Sequence, residues 1–476
     1  MSENQPVKTD TGSSPVSLYR FVQTKTLQEE IKMFEQIKTT GCACGREHRC
    51  SVKKIITGSG AIKNLPECLD ILKAERAFVV TDKNTLKAAG NAVLSVLDEA
   101  GRKYTSSTFV PDVIKPDEHA AGSLLMNFDE KCDAVIGVGS GVINDCCKIL
   151  AAKTKKPYIT VASAPSMDGF ASDTSSMEKD GLKVSLPSKC PDIIIGDTDI
   201  LKNAPARMLI SGVGDMLAKY ISIAEWRISA LINGEYYCEE IAQLIRSSLK
   251  KCTDNASGLV RRESTAVNAV FEGLVGVGFA MSFAGVTRPA SGGEHYFSHL
   301  WDMRGLEFGL STELHGIQCA LGTYISACFY HKLKDITPDR EKAIAATEKF
   351  NLNAHFEELI RFVGKGAYSM IENEKTQKKF DLALHHERID RIIEHYGEIL
   401  KIIDEEIPTV RELNELYGIL GLPTRAGQTV IDPAIIDKTF EFTKDVRDKY
   451  VLSRLLWDMG ETDSERFKTA SLYQPE

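Results

Sequence analysis

DAVIGVGSGVINDCCK, residues Asp133–Lys148, sets the fold class. An apolar run, Ala134–Val138, enters a turn carrying Gly137, Gly139 and Gly141, and the helical pattern VINDCCKILAAKT follows. A buried strand that ends in glycines and opens a helix is the repeating unit of a parallel sheet. In that unit the glycines let the backbone approach a phosphate. The helix start supplies unpaired N–H groups and a favourable dipole. The third glycine of G-x-G-x-x-G is missing, and a tight strand–helix turn without a ligand uses the same residues.

The text on either side repeats the alternation. VKKIITGSG, RAFVVTDKNT, KYTSSTFV, PYITVAS and CPDIIIGDTDI read as strands, with AIKNLPECLDIL, LKAAGNAVLSVLDEAG and SLLMNFDEKC as helices between them. This predicts an α/β domain over residues 16–205, a parallel sheet with helices on both faces and ligands at the carboxyl ends of its strands. Beyond Pro205 strand signals nearly vanish. MLAKYISIAEWRISALI, EYYCEEIAQLIRSSLKKC, TAVNAVFEGLVGVGFAMSF and HGIQCALGTYISACFY predict an all-α domain over 206–476, with the boundary near 203–210. Residues 1–15 are polar and aperiodic, the pattern of a disordered tail. Residues 16–40 read as a short strand and a helix, and the charged stretch 370–405 as a solvated amphipathic helix. The apolar run Gly273–Val286 is too short to span a bilayer and reads as a buried helix.

The chain has 476 residues, a net charge of −8 and 43% hydrophobic residues. That balance suits soluble domains acting on small molecules and argues against nucleic-acid binding and membrane insertion. MSENQPVKTD is polar and lacks the apolar core of a signal peptide. The twelve cysteines are therefore expected as reduced thiols in the cytoplasm.

Several residues carry candidate chemistry. Asp82 ends a strand, where a carboxylate can accept hydrogen bonds from a ribose and repel a 2′-phosphate; it also stands where a helix N-cap would. SAPSMDGFASDTSS, Ser163–Ser176, follows another strand and offers hydroxyls around Asp168, and equally reads as a polar loop with Asx turns. RPASGGEHYFSH, Arg288–His299, places His295 and His299 four apart, on one helix face. His315 follows in ELHG, and Asp215 precedes them in SGVGDMLAKY. One carboxylate and two imidazoles can hold a divalent metal and leave positions open. GCACGREHRC sets Cys42, Cys44, His48 and Cys50 within nine residues, tighter than an ordinary zinc finger, and reads as a reduced surface loop in preference to a metal site.

Taken jointly, GVGSGVINDCCK, PSMDGFAS, SGVGDMLAKY with Trp226, RPASGGEHYFSH and ELHG resemble the superfamily of iron-containing alcohol dehydrogenases, glycerol dehydrogenases and dehydroquinate synthases. Within it the chain resembles the sn-glycerol-1-phosphate dehydrogenase branch, including its bacterial AraM-type members, over roughly residues 50–330. The resemblance implies a Rossmann-like cofactor domain, a dehydroquinate synthase-like helical domain and catalysis in the cleft between them, in a homo-oligomer. It implies NAD(P)H and one divalent metal ion per chain, with Asp215, His295 and His315 as ligands and His299 nearby. Zn²⁺, Ni²⁺ and Fe²⁺ all accept such a set. Gly139, Ser140, Gly141 and Asp145 fall on the phosphate loop, Ser163 and Ser172 on cofactor-contacting hydroxyls, and Asp168 beside nicotinamide and substrate. Val142 departs from the pattern, leaving Ser140 as the loop's hydroxyl.

The activity implied is reduction of dihydroxyacetone phosphate to sn-glycerol 1-phosphate, with Asp168 and His299 catalytic and Asp82 favouring NADH. Glycerol or another polyol is the alternative substrate, and a non-catalytic relative is a further one. Arg288 and Lys219 are candidates for the substrate phosphate; structural ion pairs would use the same residues.

Overall fold

The computed structural model describes residues 41–472 except Asp112, together with Leu27, Glu29, Ile31 and Lys32. The expected tail 1–15 and most of the strand–helix pair expected over 16–40 lie outside the described residues.

Six parallel strands form one sheet in the order β1-β8-β5-β4-β2-β3. They are β1 (Lys54–Gly58), β2 (Arg76–Asp82), β3 (Lys103–Phe109), β4 (Ala134–Gly139), β5 (Tyr158–Ala162) and β8 (Ile193–Asp197). The central strands are apolar on both sides because both faces are covered. Along β2, Ala77 and Val79 enter one apolar cluster and Phe78 and Val80 the other. The sheet reverses its winding between β2 and β4. The register that sets Val80 opposite Gly137 brings Asp82 and Gly139 to the same carboxyl edge, the place where such sheets bind ligands. From Gly139 the chain turns through Ser140 into α1 (Gly141–Thr154).

β6 (Thr174–Lys179) and β7 (Leu182–Pro187) form a separate antiparallel hairpin. Asp180 and Gly181 at its turn both have positive φ, the geometry that Asp-Gly favours in two-residue hairpins. Its first strand begins inside the stretch Ser163–Ser176, which the sequence offers as a polar loop.

After β8 the described residues contain no further strand. The long helices that build the site are α2 (Ala206–Leu217), α3 (Lys219–Asn233), α4 (Glu239–Asp254), α5 (Ser264–Ala284), α6 (Gly293–Phe308) and α7 (His315–Lys332). α5 is long and apolar enough to cross a membrane, yet most of it is buried in the protein. Its start at Ser264 is one residue from that of the pattern TAVNAVFEGLVGVGFAMSF, and Ala266, Val267, Val270 and Phe271 face the core ahead of the most apolar run. The charged stretch forms three helices, Gly366–Gln377, Leu382–Glu394 and Tyr396–Glu406, with Ile389, Ile392, Ile399 and Ile403 buried. None of the cysteines forms a disulfide.

Candidate active site and metal centre

Close backbone approaches place the site. A Cβ on Gly316 would lie 1.8 Å from the Ser211 carbonyl oxygen, and one on Gly214 2.3 Å from that of Gly316. Glycine at both positions lets α2 touch the start of α7, so Asp215 and His315 face each other. Gly212 does the same for the loop after β5: a Cβ there would meet the Pro165 oxygen at 1.9 Å. That loop then donates Asp168 N–H to Asp215 Oδ2 at 3.0 Å.

His295 comes in from α6. Its Nε2 is 3.4 Å from Asp215 Oδ1, and its ring meets His315 edge to face at 5.1 Å between centroids. Cys319, one turn beyond His315 on α7, completes the group; its Sγ is 3.6 Å from His315 Nε2. One ligand atom from each of Asp215, His295, His315 and Cys319 lies within 4.8 Å of the others.

The outer imidazole nitrogens are held. His295 Nδ1 is 2.9 Å from Glu294 Oε1, and His315 Nδ1 is 3.0 Å from Ser298 Oγ. Such outer partners fix ring orientation and direct Nε2 inward. The donor set therefore fits a divalent metal. Its chemistry also shows in the electrostatics. Burial works to raise the Asp215 pKa, but Lys219, His295 and His315 outweigh it and hold the carboxyl well below its usual range. Burial opposes a charged His295, yet Cys319 and Asp215 raise its pKa well above the ordinary value.

The other expected residues fall in distinct places. Lys219 is fully buried between Asp168 Oδ2 (2.5 Å) and Asp215 Oδ1 (3.1 Å). Arg288 is buried among other partners: its Nε is 3.2 Å from Glu235, and Nη2 donates to the Glu225 and Tyr450 carbonyls at 2.9 and 2.8 Å. His299 is half-buried on α6, one turn past His295. Burial lowers its pKa, and the nearby charges of Arg447 and Lys183 lower it further. Lys183 pairs with Asp302, and Arg447 donates to Ser185 Oγ at 3.1 Å. Lys183 and Ser185 both belong to β7, so the hairpin brings the two cations to the side of α6 that carries Asp302, near enough for their charges to act on His299.

At the glycine loop, a Cβ on Gly139 would lie 2.5 Å from Ile143 Cβ, so only glycine fits there. Gly141 begins α1 with open space around it apart from Met167. Ser140 Oγ hydrogen-bonds Ser166 Oγ. Ser163 N–H donates to the Gly139 carbonyl at 3.0 Å. Asp145 pairs with buried Lys148 at 3.3 Å, and Lys148 in turn donates to Ser172 Oγ at 2.9 Å and to the Gly169 and Thr174 carbonyls. Asp82 caps the following turn, its Oδ1 accepting from Asn84 and Thr85 N–H, both at 2.7 Å.

A family pattern described as iron-containing alcohol dehydrogenase matches residues 56–205. The chain is 30% identical over 375 residues to a glycerol-1-phosphate dehydrogenase (NAD(P)+) of Bacillus licheniformis, covering 76% of this chain and 94% of that protein. It is 34% identical over 278 residues to one from Methanothrix thermoacetophila, covering 57% of this chain and 75% of that one. The chain belongs to the glycerol-1-phosphate dehydrogenase family. Solved structures share the fold at low identity. Glycerol dehydrogenase from Schizosaccharomyces pombe aligns with TM-score 0.54 and 15% identity over 89% of this chain and 92% of that one. The iron-containing alcohol dehydrogenase of Thermococcus thioreducens aligns with TM-score 0.53 and 15% identity, over 88% and 100%.

For a glycerol-1-phosphate dehydrogenase family member, three residues at this site had no place in the sequence reading. Cys319 carries a signal there, since it follows His315 by four on one helix. Glu294 is adjacent to His295 and had none, because its role depends on rotamer. Lys148, the last residue of GVGSGVINDCCK, was given no role there and is wholly buried.

Proposed function

We propose that the chain reduces dihydroxyacetone phosphate to sn-glycerol 1-phosphate with NAD(P)H, reversibly and in the cytoplasm, in a cleft between the carboxyl edge of the sheet and helices α2, α6 and α7. One observation carries this reading: hydrogen bonds tie the glycine loop to the loop after β5, and that loop to α2, which carries the ligand Asp215. Ser140 contacts Ser166, Ser211 Oγ donates to the Ser166 carbonyl at 3.2 Å, and Asp168 N–H donates to Asp215. A cofactor phosphate on the loop and a metal on the ligands would thus sit in one rigid frame, as hydride transfer requires.

Asp215, His295 and His315 would hold the metal, which would polarise the ketone oxygen while the nicotinamide supplies hydride. Gly139, Ser140 and Gly141 present the N–H groups that open α1 to the pyrophosphate. Asp82 offers its second carboxylate oxygen to the ribose. Ser163 lies beside the loop, whereas Asp145 and Ser172 act through Lys148, holding the loop after β5 against α1. Asp168, held by Lys219, orients the substrate hydroxyls. His299 carries the proton exchanged with the substrate oxygen.

Lys183 and Arg447 anchor the substrate phosphate. Arg447 has only a neutral hydroxyl as its side-chain partner and Lys183 would exchange its Asp302 pair for the phosphate, whereas Arg288 is held by Glu235 and two carbonyls. A guanidinium matches phosphate in two-point contact.

The test is kcat/KM for dihydroxyacetone phosphate against dihydroxyacetone. A large excess for the ester is expected, with Arg447→Ala raising KM for the ester alone. Equal or better turnover of dihydroxyacetone would replace this reading with a polyol dehydrogenase.

A further inference from the structure

Away from α2, α6 and α7, a second cluster gathers Cys42, Cys44, His48 and Cys238, with one ligand atom from each within 4.8 Å of the others. We propose that these four residues form a closed structural Zn²⁺ site that ties the segment before β1 to the helical half of the protein.

The distances suit a tetrahedron. Zinc bonds of ~2.3 Å to sulfur and ~2.0 Å to nitrogen imply edges of about 3.8 Å between sulfurs and about 3.5 Å from sulfur to nitrogen. Cys42 Sγ is 3.6 Å from Cys238 Sγ. His48 Nε2 is 3.6 Å from Cys238 Sγ and 3.4 Å from Cys44 Sγ. Three thiolates and an imidazole are soft donors in the number a structural zinc takes, with no position left for water.

The surroundings are arranged for a ligand role. His48 is buried, and its Nδ1–H donates to the Phe283 carbonyl near the end of α5 at 3.0 Å. That bond fixes the tautomer and aims the Nε2 lone pair at the sulfurs. Gly45 N–H donates to the Cys42 carbonyl at 2.9 Å, closing a turn in which Gly45 has φ +74°. Arg46 N–H then points at Cys44 Sγ at 3.4 Å, and the Tyr236 hydroxyl reaches the same sulfur at 3.5 Å. Both donors favour a thiolate. The Arg46 guanidinium lies over the Tyr236 ring, 3.6 Å from its centroid.

Cys50 is not part of the group; its thiol acts on Cys190 instead. The fourth ligand is Cys238, at the start of α4 and 196 residues beyond Cys42. This separation is why GCACGREHRC alone reads as a loop. An ion here closes a very long chain loop and couples the residues leading into β1 to α4 and α5. Binding free energy at such a site is folding free energy.

The experiment uses full-length protein purified in reductant without a metal-binding tag. His295→Ala removes an active-site ligand; this protein should still carry one zinc equivalent, and X-ray absorption should show a shell of three sulfurs and one nitrogen. Cys44→Ser in otherwise wild-type protein should lose one zinc equivalent and keep the active-site metal. It approaches the site from the other side and does not depend on the first variant folding. Absence of zinc from His295→Ala, or a shell with fewer than three sulfurs, would overturn the proposal. None of these outcomes depends on the substrate assignment.

Discussion

Lys219 Nζ lies 2.5 Å from Asp168 Oδ2, and the same ammonium is 3.1 Å from Asp215 Oδ1. Burial favours a neutral lysine, but the two carboxylates outweigh it and hold the Lys219 pKa above its usual value. The spacing from Asp215, four residues, follows from the helical path through Leu217 and Ala218. One buried cation therefore compensates two buried anions before any metal adds its charge. Removing one partner of a buried pair typically costs about 3–5 kcal/mol, because the other charge is left uncompensated. Lys219→Met should lower the urea midpoint by that order, and adding Asp168→Asn should recover part of the loss. A Lys219→Met protein with the wild-type midpoint would show that the pair carries no stability.

Asp82 has two tasks, and one substitution separates them. Its Oδ1 caps the turn after β2, accepting from Asn84 and Thr85, while Thr85 Oγ1 accepts Asp82 N–H at 2.9 Å. Asparagine keeps a capping oxygen and removes the charge, whereas alanine removes both and costs about 1 kcal/mol. Asp82→Asn should therefore raise kcat/KM with NADPH relative to NADH, with little change in stability. Asp82→Ala should show the same cofactor shift and a lower melting temperature. If wild type already uses NADPH as well as NADH, Asp82 is a cap and nothing more.

The sheet was legible because its central strands are buried on both faces, so Phe78–Val80, Ala134–Val138 and Ile193–Ile195 stand as unbroken apolar runs between turn residues. The hairpin β6–β7 escaped because its strands are only partly buried and carry Ser, Glu and Lys; Asp180-Gly181 was the signal available. The helix read at SLLMNFDEKC is Glu118–Asn127, fixed by an Asp117 side-chain cap on Ala120 N–H at 2.8 Å. At the site, the convergence of Asp215, His295 and His315 could be anticipated from motif order. What Arg288 faces could not, since Glu225 and Glu235, on and just after α3, and Tyr450 reach it from two distant parts of the chain. The partner of Cys42 was equally invisible, because a ligand 196 residues away leaves no spacing to read.

Lys449 gives the fold a pH dependence of known sign. Its Nζ donates to the carbonyls and hydroxyls of Thr287 and Ser291, none of them charged. Burial, then the charges of Arg288 and Arg447, push its pKa down to about 7 from 10.5. Between those values the unfolded chain holds a proton that the folded chain lacks. Stability should therefore rise as pH increases through that window and level off above it. Lys449→Met has nothing to titrate, so its urea midpoint should rise less between pH 7 and pH 10. Equal slopes in the two proteins would mean that Lys449 stays charged when folded.

His299 stands one helical turn from His295, and burial, Arg447 and Lys183 all push its pKa well below 6.5. Bound metal would add a further positive charge in the same direction. The imidazole is then neutral near neutral pH and ready to accept the proton released when the alcohol is oxidised. General base catalysis of this kind contributes about 10²–10⁴-fold. Oxidation of glycerol 1-phosphate should accordingly hold its kcat/KM as pH falls through the ordinary histidine range, and decline only in more acidic solution. His299→Asn should lower kcat by an amount in that range and remove the acid limb, leaving metal content unchanged because His299 is outside the ligand cluster. Persistence of the acid limb in His299→Asn would place the proton relay on another group.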